Sequence, residues 1–335
     1  MNPLSVWAGQ RIGAPATREN IDAYQYNALH DTISHVKKHS RFYRERLTSI
    51  DISGGSTQAL LRSLPFCGPG DLRSSPTDFL CVSQAEVSRV VTASWLETSG
   101  TTGRPKRLFF TPAELETTTD FFDYGMRNMV KSGGKTMIFM RGENTADGVC
   151  GLLTRALARF GATGIAYGFV RDPEHARRAL IASGADCAVG VASQMASIAK
   201  LSGEQPCLRS LLLAADNIPK NTAEMLKSAW SCEVFSHFGM TETCFAGAVD
   251  CPEHTGMHVC EPDFIFEIID PVTGEQLPNG EYGELVLTTL TRRATPLLRY
   301  RTGDMSRILT GKCACGCELK RLDNVTGHAE KFILD

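Results

Sequence analysis

The chain has 335 residues, 42% of them apolar and 21% charged, with a formal net charge of −2. That is length enough for one large core or for two domains, and so even a balance offers no electrostatic handle for nucleic acid or an anionic membrane. No apolar run reaches the roughly 18 residues of a membrane span. The N-terminal segment Met1–Ala8 lacks the basic stretch and apolar core of a secretion signal, and twelve cysteines without such a signal point to a reducing compartment, the cytoplasm.

Within residues 20–48, Leu29, Ile33 and Val36 recur at helical spacing, followed by Phe42 and Leu47, and the other face is rich in His, Lys and Arg. Residues 53–77 are rich in Gly, Ser and Pro and read as loop, with Pro65–Leu72 leading into a short helix. A β-looking run over 87–95 then meets the loop Thr98-Ser99-Gly100-Thr101-Thr102-Gly103-Arg104-Pro105-Lys106, and a second run follows at 108–111. Helix signals over 112–130, 148–160 and 194–201 alternate with strand signals over 135–140, 164–170, 187–191, 211–214 and 233–236. Asp172-Pro173 starts a further helix that Gly184 closes, and Asn221 with Glu224 forms a capping-box-like start for another, reaching Trp230. Repeated β-α-β units predict a parallel sheet covered by helices. From about residue 260 the texture changes to strands at 264–270, 283–289 and 305–309 with turns at Pro271–Gly274 and Pro278–Gly280. The predicted fold is therefore α/β, parallel sheets flanked by helices, with an antiparallel β subdomain near the C-terminus.

The loop at 98–106 carries the first chemistry. Gly100 and Gly103 let the backbone turn and approach a ligand. Ser99, Thr101 and Thr102 add hydroxyl donors to an anion-binding turn, and Arg104 and Lys106 add positive charge, so a polyphosphate is the natural guest. The spacing is not that of a Walker loop, because Met129 stands where the first glycine before Gly134-Lys135-Thr136 should be. A second candidate, His237-Phe238-Gly239-Met240-Thr241-Glu242, follows a strand, where ligands of open parallel sheets collect. Phe238 can stack on a purine, Gly239 permits close approach, Thr241 can donate to an α-phosphate oxygen, and Glu242 suits Mg²⁺. A third, Tyr300-Arg301-Thr302-Gly303-Asp304, offers a carboxylate able to accept two ribose hydroxyls; a solvated turn is the alternative.

The string Ser-Gly-Thr-Thr-Gly-Arg-Pro-Lys resembles the phosphate-binding loop of the adenylate-forming superfamily of acyl-CoA ligases, adenylation domains and luciferases. The aromatic-Gly-x-Thr-Glu stretch, with Phe238 where tyrosine is more usual, and the segment at 300–304 match the same family in the same order. From about residue 27 onward the chain resembles phenylacetate–CoA ligases. The resemblance implies that a carboxylate attacks the α-phosphorus of ATP, giving an acyl-adenylate and pyrophosphate, with transfer to CoA following. It assigns Thr101, Thr102 and Lys106 to the β- and γ-phosphates, Thr241 to the α-phosphate, Glu242 to Mg²⁺ and Asp304 to the ribose. Thr241, Glu242 and Lys106 are thus the implied catalytic set. Ala214-Ala215-Asp216-Asn217 resembles the segment that lies along the adenine, which carries over a backbone contact at Ala215 and one at Asp216. The acid is expected to be aromatic or small, in a pocket among residues 140–151 and 191–194, although Arg141-Gly142-Glu143-Asn144 is polar there.

Thiolates with an imidazole are the tetrahedral ligand set of structural zinc. Cys251, His258, Cys313 and Cys315 are the expected ligands, with His254, Cys260 and Cys317 as substitutes; unrelated thiols are the alternative. Such a zinc would staple the β subdomain to the core. His237 is either a contact of the acyl pocket or a loop histidine satisfied by backbone.

These readings divide the chain into an N-terminal helical and loop region (1–80), a nucleotide-binding core (81–260), a β subdomain with a zinc knuckle (261–327) and a hinge remnant (328–335). In the family a Gly-Arg-x-Asp-Asp-like hinge leads to a small mobile domain that supplies a lysine. Here Gly327-His328-Ala329-Glu330-Lys331 has His328 in place of the arginine, and the sequence stops at Asp335. It is expected to be either a piece of a longer protein or a large domain alone, whose mobile domain a separate chain would supply. Two rival functions follow: an acyl donor to a carrier protein or partner thiol, and a non-catalytic nucleotide-binding protein.

Overall fold

A computed structural model describes residues 2–50, 55–93, 106–214 and 218–328. Five helices come first: α1 (Pro3–Ile12), α2 (Arg18–His39), α3 (Arg41–Arg46), α4 (Thr57–Ser63) and α5 (Pro69–Ser74). Side-chain oxygens of Asn2, Thr17, Ser40 and Ser56 cap the first four by accepting backbone N–H groups. The expected stripe of Leu29, Ile33 and Val36 is buried. It presses α2 onto the C-terminal half of the chain. Gln25 Nε2 donates to the carbonyls of Glu261 and Phe264 at 2.9 and 3.1 Å, and Thr32 Oγ1 to that of Leu290 at 2.8 Å. Trp7 meets Phe121 edge-on at 5.1 Å, which ties α1 to the helix that follows the next hairpin.

That hairpin pairs β1 (Arg89–Ala93) with β2 (Lys106–Phe110) antiparallel. There follow α6 (Pro112–Met126), β3 (Lys135–Phe139), α7 (Val149–Arg159), β4 (Thr163–Ala166) and α8 (Pro173–Ser183). β5 (Cys187–Gly190), α9 (Ala192–Ala199), β6 (Ser210–Leu213), α10 (Lys220–Trp230) and β7 (Glu233–Gly239) complete the alternation. Strands β4-β3-β5-β6-β7 lie side by side and parallel, as the β-α-β pattern predicts. Successive residues of each strand face opposite sides. Met137, Phe139, Leu211 and Leu213 pack with Leu180, Met195 and Leu226 of α8, α9 and α10, while Ile138, Val189 and Leu212 share the larger core with α6 and α7.

The start of α8 follows the sequence closely: Asp172 Oδ1 accepts from the N–H groups of Glu174 and His175 at 2.9 and 3.1 Å, and Gly184 closes the helix in the left-handed region at φ 60°. Three local expectations need correction. The stretch 53–77, expected as loop ahead of Pro65, carries the helix α4, which Ser56 caps and which buries Leu60 and Leu61. α10 begins at Lys220 with Pro219 as its N-cap, so Asn221 lies inside the helix and caps nothing. The strand expected over 164–170 ends at Ala166, and Val170 N instead donates to Gln194 Oε1 at 3.0 Å.

The C-terminal third consists of β8 (Gly247–Val249), β9 (Met257–Val259), β10 (Phe264–Ile269), β11 (Gly283–Thr289), β12 (Tyr300–Ser306), β13 (Ile308–Leu309), β14 (Arg321–Leu322) and β15 (Thr326–His328). The expected antiparallel subdomain is the sheet β10-β11-β12-β15. The other strands do something the sequence pattern does not announce. β8, β9, β14 and β13 continue the parallel sheet beyond β7 in antiparallel fashion, so it grows to nine strands of mixed direction. Residues 308–322 thereby return to the core sheet and cover what would be its open edge.

Candidate nucleotide and acyl site

Three segments far apart in sequence converge on one buried carboxylate. Lys106 opens β2, Glu242 sits in the single helical turn Thr241–Thr243 after β7, and Tyr300 opens β12. Lys106 Nζ lies 2.5 Å from Glu242 Oε1, Tyr300 Oη donates to the same oxygen at 2.8 Å, and Lys106 Nζ reaches Tyr300 Oη at 3.4 Å. All three residues are buried. Burial and the adjacent Glu242 charge both hold the Tyr300 phenol far above its ordinary pKa, so it stays a neutral donor. The sequence points to Lys106 and Glu242 as site residues; Tyr300 enters it only as the first residue of the Asp304 segment, because a tyrosine beginning a strand carries no signal of its partner.

The turn bearing Thr241 and Glu242 is held from outside. The buried Arg292 donates to the carbonyls of Thr243 and Glu114 at 2.8 and 3.1 Å, and Thr118 Oγ1 donates to the Cys244 carbonyl at 2.9 Å. Cys244 and Phe245 follow in the left-handed region, at φ 53° and 69°. That backbone is costly for residues with a side chain and persists because these bonds over-determine it. Gly239 has a more local reason than ligand approach: a Cβ there would stand 2.3 Å from the Phe245 carbonyl oxygen and 2.6 Å from His237 Cε1. Phe238 meets Phe266 edge-on at 6.0 Å. Asp304 is half-buried on the strand that Tyr300 begins, with its N–H donating to Thr302 Oγ1 at 3.0 Å. Ser99, Gly100, Thr101, Thr102, Gly103, Ala215 and Asp216 lie outside the described residues.

Beside this constellation an apolar cavity of about 590 Å³, its open mouth included, spans the carboxyl ends of the parallel strands. Met140, Val189, Leu212, Ala214, His237 and Gly239 form its strand side, and α6 and α7 supply Phe121, Phe122, Met126 and Leu153. Met140 and Val149 belong to the region expected to form the acyl pocket, but the polar run after Met140 does not line it. Arg141 stacks instead over the exposed Phe169 at 4.6 Å, and Gln194 is engaged with Val170. Burial pushes the His237 imidazole down to about 4, so the ring is neutral.

A second cluster lies in the strands added to the sheet edge. Cys251 follows β8, His258 is in β9, and Cys313 and Cys315 come from the loop between β13 and β14; their ligating atoms all lie within 4.8 Å of one another. Cys251 Sγ is 3.7 Å from Cys313 Sγ, and Cys315 Sγ is 3.2 Å from His258 Nε2. A tetrahedral site with Zn–S near 2.3 Å has S···S edges of about 3.8 Å, so the spacing fits this donor set. The other nitrogen of His258, Nδ1, faces the Leu319 carbonyl at 3.2 Å, the arrangement that leaves Nε2 for a metal. Burial pushes the Cys313 thiol up, but hydrogen bonds from the Cys315 backbone, Thr255 and the neighbouring thiols outweigh it and bring the pKa below its usual value. The substitutes have other partners: His254 Nδ1 meets Asp250 at 2.7 Å, Cys260 meets Asp263 at 3.2 Å, and Cys317 stands outside the group.

Comparison with known proteins follows this geometry. The family model described as AMP-binding enzyme matches residues 84–290. The phenylacetate-coenzyme A ligase of Thermus thermophilus is 28% identical over 333 residues, covering 95% of this chain and 72% of that protein. The enzyme of the same name from Pseudomonas putida is 28% identical over 335 residues, covering 96% of this chain and 74% of its own length. Among solved structures, an open conformation of 2-hydroxyisobutyryl-CoA ligase with 2-HIB-AMP and CoA superposes with a TM-score of 0.80 at 19% identity, over 92% of this chain and 70% of that one.

Proposed function

The chain belongs to the AMP-binding enzyme family, and from that membership we propose that it activates a carboxylic acid with ATP to an acyl-adenylate and passes the acyl group to CoA. The observation that carries this reading is the convergence of Lys106, Glu242 and Tyr300, drawn from the phosphate-loop strand, the Thr241–Glu242 turn and the Asp304 strand. In the free protein the ammonium and the carboxylate neutralise each other. A nucleotide with its magnesium ion brings the countercharge that each needs, so neither is left bare when the pair separates.

In the proposed complex Thr101, Thr102 and Lys106 hold the β- and γ-phosphates, Thr241 the α-phosphate and Asp304 the ribose. Phe238 packs against the adenine, along whose edge Ala215 and Asp216 run. Glu242 is the residue that would hold Mg²⁺, which supplies neutralisation of phosphate charge when bound. The acid enters the apolar cavity, which suits an aromatic or small acyl group. The protein's work is positioning: it aligns the carboxylate with the α-phosphorus and screens the charge that develops there. The four donors at Cys251, His258, Cys313 and Cys315 would hold a structural zinc that ties two loops of the sheet edge together and takes no part in the reaction. Every cysteine is free, which supports a reducing compartment such as the cytoplasm. No helix among the described residues is long and apolar enough to cross a membrane.

The test is acid-dependent exchange of pyrophosphate into ATP over a panel of aryl and short-chain acids, followed by addition of CoA. Exchange with some acids and thioester formation with CoA support the reading. Failure to bind ATP or AMP at all overturns it.

A further inference from the structure

The turn proposed to meet the α-phosphate is backed by a charge that has no anion of its own. Arg292 is only 2% exposed, and a guanidinium stays protonated in any protein environment. Its Nη2 donates to the Thr243 carbonyl at 2.8 Å, one residue past Glu242, and its Nη1 to the Glu114 carbonyl of α6 at 3.1 Å. The guanidinium carbon lies 5.3 Å from the centroid of the Phe264 ring, and Nε is sealed from solvent without a hydrogen-bond partner. No carboxylate among the described residues pairs with it. Glu114 Oε1 accepts instead from the N–H groups of Arg293 and Ala294 at 2.7 and 3.1 Å, and Oε2 is taken by Thr111. Burying an ionised group without a counter-ion costs stability. Nor do the two carbonyls depend on it. Thr243 also accepts from the Ala246 N–H at 3.3 Å, Glu114 lies within α6 and its carbonyl serves the helix, and Thr118 still holds the carbonyl of Cys244. An apolar side chain of similar bulk would therefore serve the fold at least as well. The charge is nonetheless felt around it. Burial pushes the Cys244 thiol up, and at Cys260 the neighbouring Asp263 adds to that push; Arg292 pulls both back down.

Resting on the proposed acid activation, we infer that Arg292 is a positioning residue for the nucleotide phosphate: held against the Thr241–Thr243 turn through the Thr243 carbonyl, it supplies a fixed positive charge that the bound phosphate balances. Such a charge is already in place when the anion arrives, so binding costs no reorganisation there. Away from water it is also screened far less than a surface arginine would be. A guanidinium suits the task because its planar fork reaches two carbonyls on different elements at once, which fixes where the charge stands.

The experiment compares two ligands of nearly one shape, AMP and the uncharged 5′-O-sulfamoyladenosine, by calorimetry on the full chain, with thermal melts alongside. Arg292→Met should weaken AMP about tenfold relative to sulfamoyladenosine and leave the melting temperature unchanged or higher. Arg292→Lys, which keeps the charge, should recover most of that ratio, and Arg292→Gln, which keeps hydrogen bonding without charge, should not. A purely structural arginine would instead weaken both ligands together, and the ratio would stay where it was. An unchanged ratio in Arg292→Met, a ratio restored by Gln as well as by Lys, no recovery with Lys, or a Met variant that fails to fold overturns this inference and leaves acid activation standing. If neither ligand binds the unaltered chain, acid activation falls with it.

Discussion

Two buried ion pairs are touched by consecutive residues of the chain, Arg299 and Tyr300, and they are built differently. Arg299 Nε donates to Glu267 Oε2 at 3.2 Å, its Nη2 stands 3.1 Å from Oε1 as a charge contact, and its guanidinium stacks over Phe66 at 4.0 Å. Tyr300, the next residue, touches the other pair, in which Lys106 meets a single oxygen of Glu242. A planar guanidinium stacked on a ring and donating also to the Leu64 carbonyl at 3.3 Å is a fixture, because little freedom remains to be lost. A lysine on a flexible stem is a point charge that can swing to another anion. The first pair belongs to the fold and the second to the ligand, although both are equally hidden from water.

The sharpest test of that contrast is Glu242→Gln, which leaves Lys106 buried beside a neutral amide. Acid-dependent pyrophosphate exchange should fall about a thousandfold, while Glu267→Gln should leave exchange in place. Equal losses in the two variants would erase the distinction. Arg299→Met should do the converse: it strands the Glu267 carboxylate and lowers folding stability by about 3 kcal/mol in denaturant unfolding, with the folded fraction still exchanging.

The thiol–imidazole cluster extends the comparison to a countercharge that is a metal ion. If Cys251, His258, Cys313 and Cys315 hold zinc, Cys313→Ser should drop the bound metal below about half an equivalent by elemental analysis. It should also lower stability by about 2.7 kcal/mol at a hundredfold excess of zinc over its dissociation constant. Tyr300→Phe removes one hydrogen bond to Glu242 and should cost about 1.5 kcal/mol in stability, with a fall in the nucleotide's KM if the phenol holds the resting pair that binding must separate. The smallest effect concerns pH. Burial raises the folded pKa of Glu267 against the pull of Arg299. A raised carboxylate binds its proton more tightly folded than unfolded, so this contribution to stability is complete below the ordinary value of 4.5 and is lost as pH rises through the folded value. Glu267→Gln should flatten the stability profile in that window, read by thermal melts across pH.

Much of the molecule could be read from spacing. Leu29, Ile33 and Val36 announce the buried face of α2, Asp172-Pro173 the start of α8, and the repeated β-α-β signals the parallel strands. Each rests on interactions within a few residues, which a linear pattern records. Where neighbours compete, the pattern misleads: Pro219 takes the cap that Asn221 was expected to fill, and Gln194, expected at the acyl pocket, is spent on Val170.

By itself the sequence determined the family likeness, the order of the candidate loops and the chemical types they carry, because short strings constrain backbone turns and donor sets locally. Only the tertiary structure decided that β9, β13 and β14 complete the core sheet, that Tyr300 meets Glu242, and that His237 packs edge-on against Phe122 at the wall of an apolar cavity. Those outcomes depend on which surfaces must be buried together across scores of residues, and burial is a property of the packed whole that no local spacing encodes.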